Sequence, residues 1–194
     1  MRIGAVVLAA GASRRMAGAN KMLLLVDGEP MVRRAVGRVQ AAGASPVVVV
    51  TGRAPEEVQQ ALAGLGCTFV HNPEFTGPTS GSLHAGLRAM PADVEAVLVV
   101  LADMVHVSTE MLHTVMERMR AGGVPLVVSA YGDVQAPPLV FGRSLWPELL
   151  AWTGEGCGKA VVRAHLAEAA RVGWPESALA DIDTPEDYAG LTAP

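Results

Sequence analysis

Short apolar runs rich in β-branched residues alternate with segments of helical periodicity along nearly the whole chain, and this alternation limits the possible folds more than any other property of the sequence. A strand that is apolar on both faces must be covered on both, and the helix after it supplies the cover. Arg2 to Leu8, Pro46 to Thr51, Thr68 to His71 and Ala96 to Leu101 read as such strands, and Leu126 to Tyr131, Pro138 to Phe141 and Arg171 to Trp174 extend the set. Met22 to Val26 is a further extended piece, ended by the Asp27-Gly28 turn. Pro30 suits the first position of a helix in which Val32, Ala35, Val36 and Val39 recur at helical spacing until Gly43. Pro55 opens a helix through Leu65, and others are expected over Ser82 to Met90, from a Ser108 cap to about Arg120, over Ser144 to Trp152 and over Lys159 to Ala169. Thr184-Pro185-Glu186-Asp187 starts the last, with a capping hydroxyl, a proline and acids in the first turn. The expected fold is a three-layer α/β/α domain over residues 1–194 with a mainly parallel sheet, whose ligands sit outside the carboxyl ends of the strands.

A chain of 194 residues, 51% of them apolar, can build one sizeable core, so one active site is expected. Nineteen acidic against fifteen basic residues, a formal charge of -4, leave no basic excess for a nucleic-acid partner. The first apolar run is too short to span a membrane and carries no signal-type cleavage pattern, and no later stretch reaches membrane length. Cys67 and Cys157, the two cysteines, are too few for a cysteine metal site and read as reduced thiols, so a soluble cytoplasmic protein is expected.

The loop after the first strand, Gly11-Ala12-Ser13-Arg14-Arg15-Met16-Ala17-Gly18-Ala19-Asn20-Lys21, combines small residues with three cations, Arg14, Arg15 and Lys21. Backbone amides that approach a ligand closely, with cations beside them, are chemistry for polyphosphate, although a solvated surface loop would have the same composition. The dinucleotide fingerprint fails because Gly11 lacks its partner glycines. Gly154-Glu155-Gly156-Cys157-Gly158-Lys159 fails as a phosphate-binding P-loop: Thr153 stands at the first glycine and Ala160 at the magnesium-binding hydroxyl, so a helix-entry loop is expected. Asp103 lies just past an apolar strand, at the sheet edge where α/β enzymes place chemistry, and Ser108 already supplies the next helix cap.

Leu8-Ala9-Ala10-Gly11-Ala12-Ser13-Arg14-Arg15-Met16, with Lys21 downstream, resembles the N-terminal signature of the molybdenum cofactor nucleotidyltransferase-like family. The resemblance continues through Asn72-Pro73 to Gly77, Ser82-Leu83 and Gly86, Leu101-Ala102-Asp103-Met104, and Asp181 to Asp187. Ala17 stands where the family usually has glycine, and Val105 replaces a frequent proline. The resemblance implies a Rossmann-like nucleotidyltransferase domain of the glycosyltransferase-A type. It also implies nucleotide binding by Leu8, Ala9, Ala10, Gly11, Ser13, Arg15 and Lys21, and Mg²⁺ held by Asp103 with Asp183 as the second carboxylate, which suits a hard cation. Arg15, Lys21 and Asp103 are the expected catalytic set, and Asp181 and Asp187 are expected to be structural.

The Leu-Ala-Ala-Gly form is the one the family associates with cytosine, which implies CTP, with molybdopterin cofactor as the phosphorylated acceptor and a molybdoenzyme or chaperone as recipient of the product. Ser80 and Ser82 can read a small pyrimidine without imposing bulk. Transfer to a sugar phosphate, and a non-catalytic nucleotide-binding module, are the alternatives. Family analogy also sets Pro137 to Phe141 and the Gly154 to Lys159 loop beside the acceptor, against plain strand and connector roles. Among the histidines only His106, in the loop after Asp103, is placed to face a ligand.

Overall fold

The computed structural model describes residues 1–13, 15–16, 18–156 and 158–192. Arg14, Ala17 and Cys157 therefore lie outside the described residues. The strands are β1 (Ile3–Ala9), β2 (Leu25–Val26), β3 (Glu29–Pro30), β4 (Val47–Thr51), β5 (Thr68–His71), β6 (Ala96–Leu101), β7 (Leu126–Tyr131), β8 (Val134–Gly142) and β9 (Ala170–Trp174). The α-helices are α1 (Met31–Ala41), α2 (Pro55–Ala61), α3 (Thr79–Arg88), α4 (Thr109–Arg120), α5 (Trp146–Ala151), α6 (Lys159–Ala164) and α7 (Pro185–Thr192). β2 and β3 form a small antiparallel hairpin around Asp27-Gly28. The other strands form one seven-stranded sheet in the order β5-β4-β1-β6-β8-β7-β9, parallel except for β8, which runs against both its neighbours.

Alternation along each strand divides the core between the two faces of the sheet. Ile3, Ala5, Val7 and Ala9 of β1 join Val47 and Val49 of β4 and Ala96, Leu98 and Val100 of β6 on one face. Val32, Val36 and Val39 of α1 and Leu112, Val115 and Met116 of α4 cover them. Val6, Leu8, Val48, Val50, Val97 and Val99 point the other way, against Leu83 and Leu87 of α3, Leu149 of α5 and Val161 and Val162 of α6. This is the three-layer α/β/α arrangement expected from the sequence. Among the described residues no helix is long and apolar enough to cross a membrane.

Several element bounds differ from the sequence reading. Pro30 precedes α1 rather than opening it, its ψ of 133° lying in the extended range. α2 stops at Ala61, before Gly64 turns the chain at a positive φ of 83°. α3 begins at Thr79 rather than Ser82, because Glu155, remote in sequence, caps it by accepting from the Thr79 amide at 3.2 Å and hydroxyl at 2.6 Å. α6 ends at Ala164. β8 begins four residues early, at Val134, and accommodates Pro137 and Pro138 at a register shift against β7 between Val128 and Ser129. There the Ser129 hydroxyl donates to the Pro138 carbonyl and the Tyr131 hydroxyl to that of Pro137, so side chains satisfy carbonyls that the register shift leaves out of the ladder. Ser108 caps α4 as expected, accepting from the Met111 amide.

Candidate active site

Parallel strands deliver their following loops to one edge of the sheet. Leu8 pairs with Leu101 across β1 and β6, so Ala10-Gly11 and Ala102-Asp103 leave the sheet side by side, tied by the Ala102 amide donating to the Leu8 carbonyl at 3.1 Å. The first loop then folds back on itself. Ser13 takes a left-handed φ of 51°, and its hydroxyl accepts from the Lys21 amide at 3.1 Å. Asn20 caps a short 3₁₀ turn over Lys21–Leu23 through the Met22 amide. These local bonds turn the Lys21 side chain inward, where it is only 8% exposed.

Lys21 Nζ donates to the Asp103 carboxylate and, at 2.9 Å, to Asp183 Oδ1. Asp183 reaches this point because the Ile182 amide donates to the Asp103 carbonyl at 3.4 Å. The start of α7 fixes it further through a reciprocal cap: Asp187 accepts from the amides of Asp183 and Thr184, and the Thr184 hydroxyl accepts from the Asp187 amide. Asp187 is structural, as expected. Arg15 pairs with the other oxygen of Asp183.

Burial disfavours the charge on Lys21, but the adjoining carboxylates, Asp103 first, outweigh it and raise the ammonium pKa. Asp183 shows the converse: burial opposes its charge, and its bonds to Lys21 and Arg15 prevail and lower its pKa. Asp181 is pushed up by burial, then by the charges of Asp183 and Asp103. Asp181, read from the sequence as structural, lies beside the other two: its carboxylate and those of Asp103 and Asp183 offer oxygens within 4.8 Å of one another. Asp103 Oδ1 is buried and has no hydrogen-bond partner among the described residues. A buried carboxylate oxygen left unpaired beside two further carboxylates is a donor set that suits a hard divalent cation.

Adjoining clefts converge on this cluster. One of about 370 Å³ is lined by Gly11, Ser13, Arg15, Lys21, Asp183 and Glu155. A second, of about 280 Å³, is lined by Leu8, Ala10, Gly11, Phe75, Ser82 and Asp103. A third, of about 490 Å³, shares Leu101 and Gly156 with the second and is lined by Pro137, Leu139, Lys159 and Arg163. The Gly154 to Lys159 segment enters α6, with Gly158 at its left-handed cap, and also borders all three clefts.

Of the expected site residues, Leu8, Ala10, Gly11, Ser13, Arg15, Lys21, Ser82, Asp103 and Asp183 come together here. Ala9 does not: its side chain packs into the core on the opposite face. Ser80 does not either, because its buried hydroxyl accepts from the Gly154 amide at 3.0 Å and anchors that loop. His106 is exposed and lies outside these clefts. Phe75, Asn72 and Glu155 were not singled out individually in the sequence, although the first two lie in the Asn72-Pro73 to Gly77 segment and Glu155 in the Gly154 to Lys159 loop. Asn72 donates to the Ser82 hydroxyl at 2.9 Å.

A parallel α/β sheet whose carboxyl edge joins a small-residue loop, buried Lys21 and three carboxylates belongs to the class of nucleotidyltransferases. Residues 5–170 match the MobA-like NTP transferase domain, and the chain belongs to that family. It is 30% identical over 196 residues to the molybdenum cofactor guanylyltransferase of Cereibacter sphaeroides, covering 97% of this chain and 95% of that one. A nucleotidyl transferase from Methanothermobacter superposes with a TM-score of 0.85 at 27% identity over 98% of this chain and 95% of the other. Rv0371c of Mycobacterium tuberculosis in complex with manganese superposes at 0.78 with 22% identity, over 98% and 97% of the two chains.

Proposed function

We propose that this nucleotidyltransferase transfers CMP from CTP to the phosphate of molybdopterin cofactor, with Mg²⁺ as the bound cation and pyrophosphate as the second product. The observation that carries the reading is the convergence of Asp103, Asp183 and Asp181 with Lys21 and Arg15 beside the loop that opens at Leu8. An ionised oxygen of the acceptor phosphate attacks the α-phosphorus in line, the bond to the α,β-bridging oxygen breaks, and its electron pair leaves with pyrophosphate. The attacking oxygen carries no proton at neutral pH, so no general base is needed. Asp103 and Asp183 would hold the Mg²⁺, with Asp181 beside them, and that ion supplies charge neutralisation to the phosphate oxygens when bound. Lys21, Arg15 and the backbone around Gly11 line the cleft of about 370 Å³ that suits the departing pyrophosphate. The manganese complex of the mycobacterial relative supports a divalent cation.

For the base, the Ala10 methyl and the Ser82 hydroxyl both line the cleft of about 280 Å³, which favours a pyrimidine over a purine. GTP is the second reading, favoured by the guanylyltransferase from Cereibacter sphaeroides. Pyrophosphate release from each of the four ribonucleoside triphosphates, with Mg²⁺ and molybdopterin cofactor, tests both. CTP is expected to exceed GTP by at least about tenfold in kcat/KM, a difference of roughly 1.4 kcal/mol. Ala10→Gly should narrow that margin. Equal or better use of GTP overturns the cytidylyl assignment and leaves nucleotidyl transfer standing; no release from any triphosphate overturns both.

A further inference from the structure

Asp103 can present its carboxylate only as accurately as the turn after it is held. That turn, residues 103–107, closes through the Val105 amide donating to the Asp103 carbonyl at 3.0 Å and the Val107 amide to that of Met104 at 3.2 Å. Position 105 therefore uses an N–H that a proline lacks, which gives Val105 a reason to stand there. The carbonyls of Val105 and Val107 remain for another donor, and one nitrogen takes both. Arg38, in the last turn of α1, donates from Nη1 to Val105 at 2.7 Å and to Val107 at 2.8 Å. The donor thus comes from a different element, α1, remote in sequence from the turn.

We propose that Arg38 is a positioning residue for Asp103: by clamping the Val105 and Val107 carbonyls it fixes the turn that aims the unpaired Asp103 oxygen at the cation site. The inference rests on the cation reading of the acidic cluster. It also accounts for a half-buried guanidinium that lines none of the three clefts and makes no contact with the carboxylate cluster. Arg38 lies behind the site, against Met104, Val105 and Leu112. Groups behind a metal-holding carboxylate ordinarily change affinity for the ion by roughly ten- to a hundredfold when removed.

The same helix carries its own control. Arg33 donates from Nη1 to the carbonyls of Ala61 and Ala63, at 3.0 and 2.9 Å, a bond of the same kind made away from the acidic cluster. Mn²⁺ binding to the purified full chain, followed by electron paramagnetic resonance without nucleotide, separates structural from positioning roles. Arg38→Met and Arg38→Gln are expected to weaken Mn²⁺ by about tenfold or more. Arg38→Lys, which keeps a donor, should recover part of the loss, and Arg33→Met should leave the affinity within about twofold while lowering Tm. Wild-type-like Mn²⁺ affinity in Arg38→Met, or an equal loss in Arg33→Met, overturns the proposal alone. Absence of Mn²⁺ binding in the wild type overturns the cation reading and this proposal together.

Discussion

Lys21 is the residue on which the ionic balance of the site turns. It sits 8% exposed between Asp103 and Asp183, and without it the ion pair of Arg15 with Asp183 would be the one left to these two carboxylates among the described residues. Lys21→Ala should lower kcat/KM for the triphosphate about ten- to a hundredfold, the effect of one charge-assisted phosphate contact worth roughly 1.5 to 3 kcal/mol, with acceptor KM little changed. A loss confined to acceptor KM would remove the loop from the triphosphate site. The pH dependence follows from the signs of the shifts. Asp183, lowered, stabilises above the usual carboxylate pKa of about 4, and that contribution is lost as pH falls through its depressed value. Lys21, raised, stabilises below about 10.4 and loses its contribution as pH rises through its elevated value. Asp181 has the opposite sense: an acid whose pKa is raised by folding costs stability at neutral pH, so Asp181→Asn should raise Tm in the presence of a chelator. Thermal melts with EDTA check this, and an unchanged or lower Tm would show that Asp181 is not strained by its neighbours.

At the scale of elements, α3 matters most, because it carries Ser82 into the cleft of about 280 Å³ while its cap and its seat come from elsewhere. It lies close on β1: a methyl added at Gly86 would stand 2.5 Å from Val6 Cγ1 and 3.1 Å from Val50 Cγ2. Both neighbours are β-branched and stiff, so the helix, rather than the side chains, must give. Gly86→Ala is therefore expected to lose about 1 to 3 kcal/mol through overpacking, more than the roughly 1 kcal/mol gained in helix propensity. Denaturant midpoints measure the difference; a stabilised variant would show that α3 can shift freely. Gly52 repeats the constraint at the end of β4, where an added methyl would meet the Ala10 carbonyl and Phe75 Cβ, each at 2.5 Å. A side chain there would displace Phe75 from the wall of the cleft of about 280 Å³.

For the molecule as a whole, the cation and the fold are linked, since the acidic cluster joins the end of β6 to the segment before α7. An ion that binds only the folded chain stabilises it by about 2.7 kcal/mol at a hundred times its Kd, or roughly 5 to 10 °C for a protein of this size. Mg²⁺ should therefore raise Tm, and Asp103→Asn should abolish both that rise and turnover while leaving the metal-free protein folded. A rise preserved in Asp103→Asn would place the ion elsewhere. The strands, most helices, the Ser108 cap and the Thr184 start were legible in the sequence because periodicity and capping are settled within one or two turns of chain. The first loop was legible as a small-residue, cationic segment because its composition is local, while the bond from the Lys21 amide to Ser13 that folds it back came only with the structure. What only the tertiary structure decided depends on strand order and register: the reversal of β8, the placing of Asp181 beside Asp103, the Glu155 cap on Thr79 and the Arg38 clamp. Each joins segments remote in sequence, and no local pattern records such a meeting, because it exists only once the crossovers have set the strands side by side.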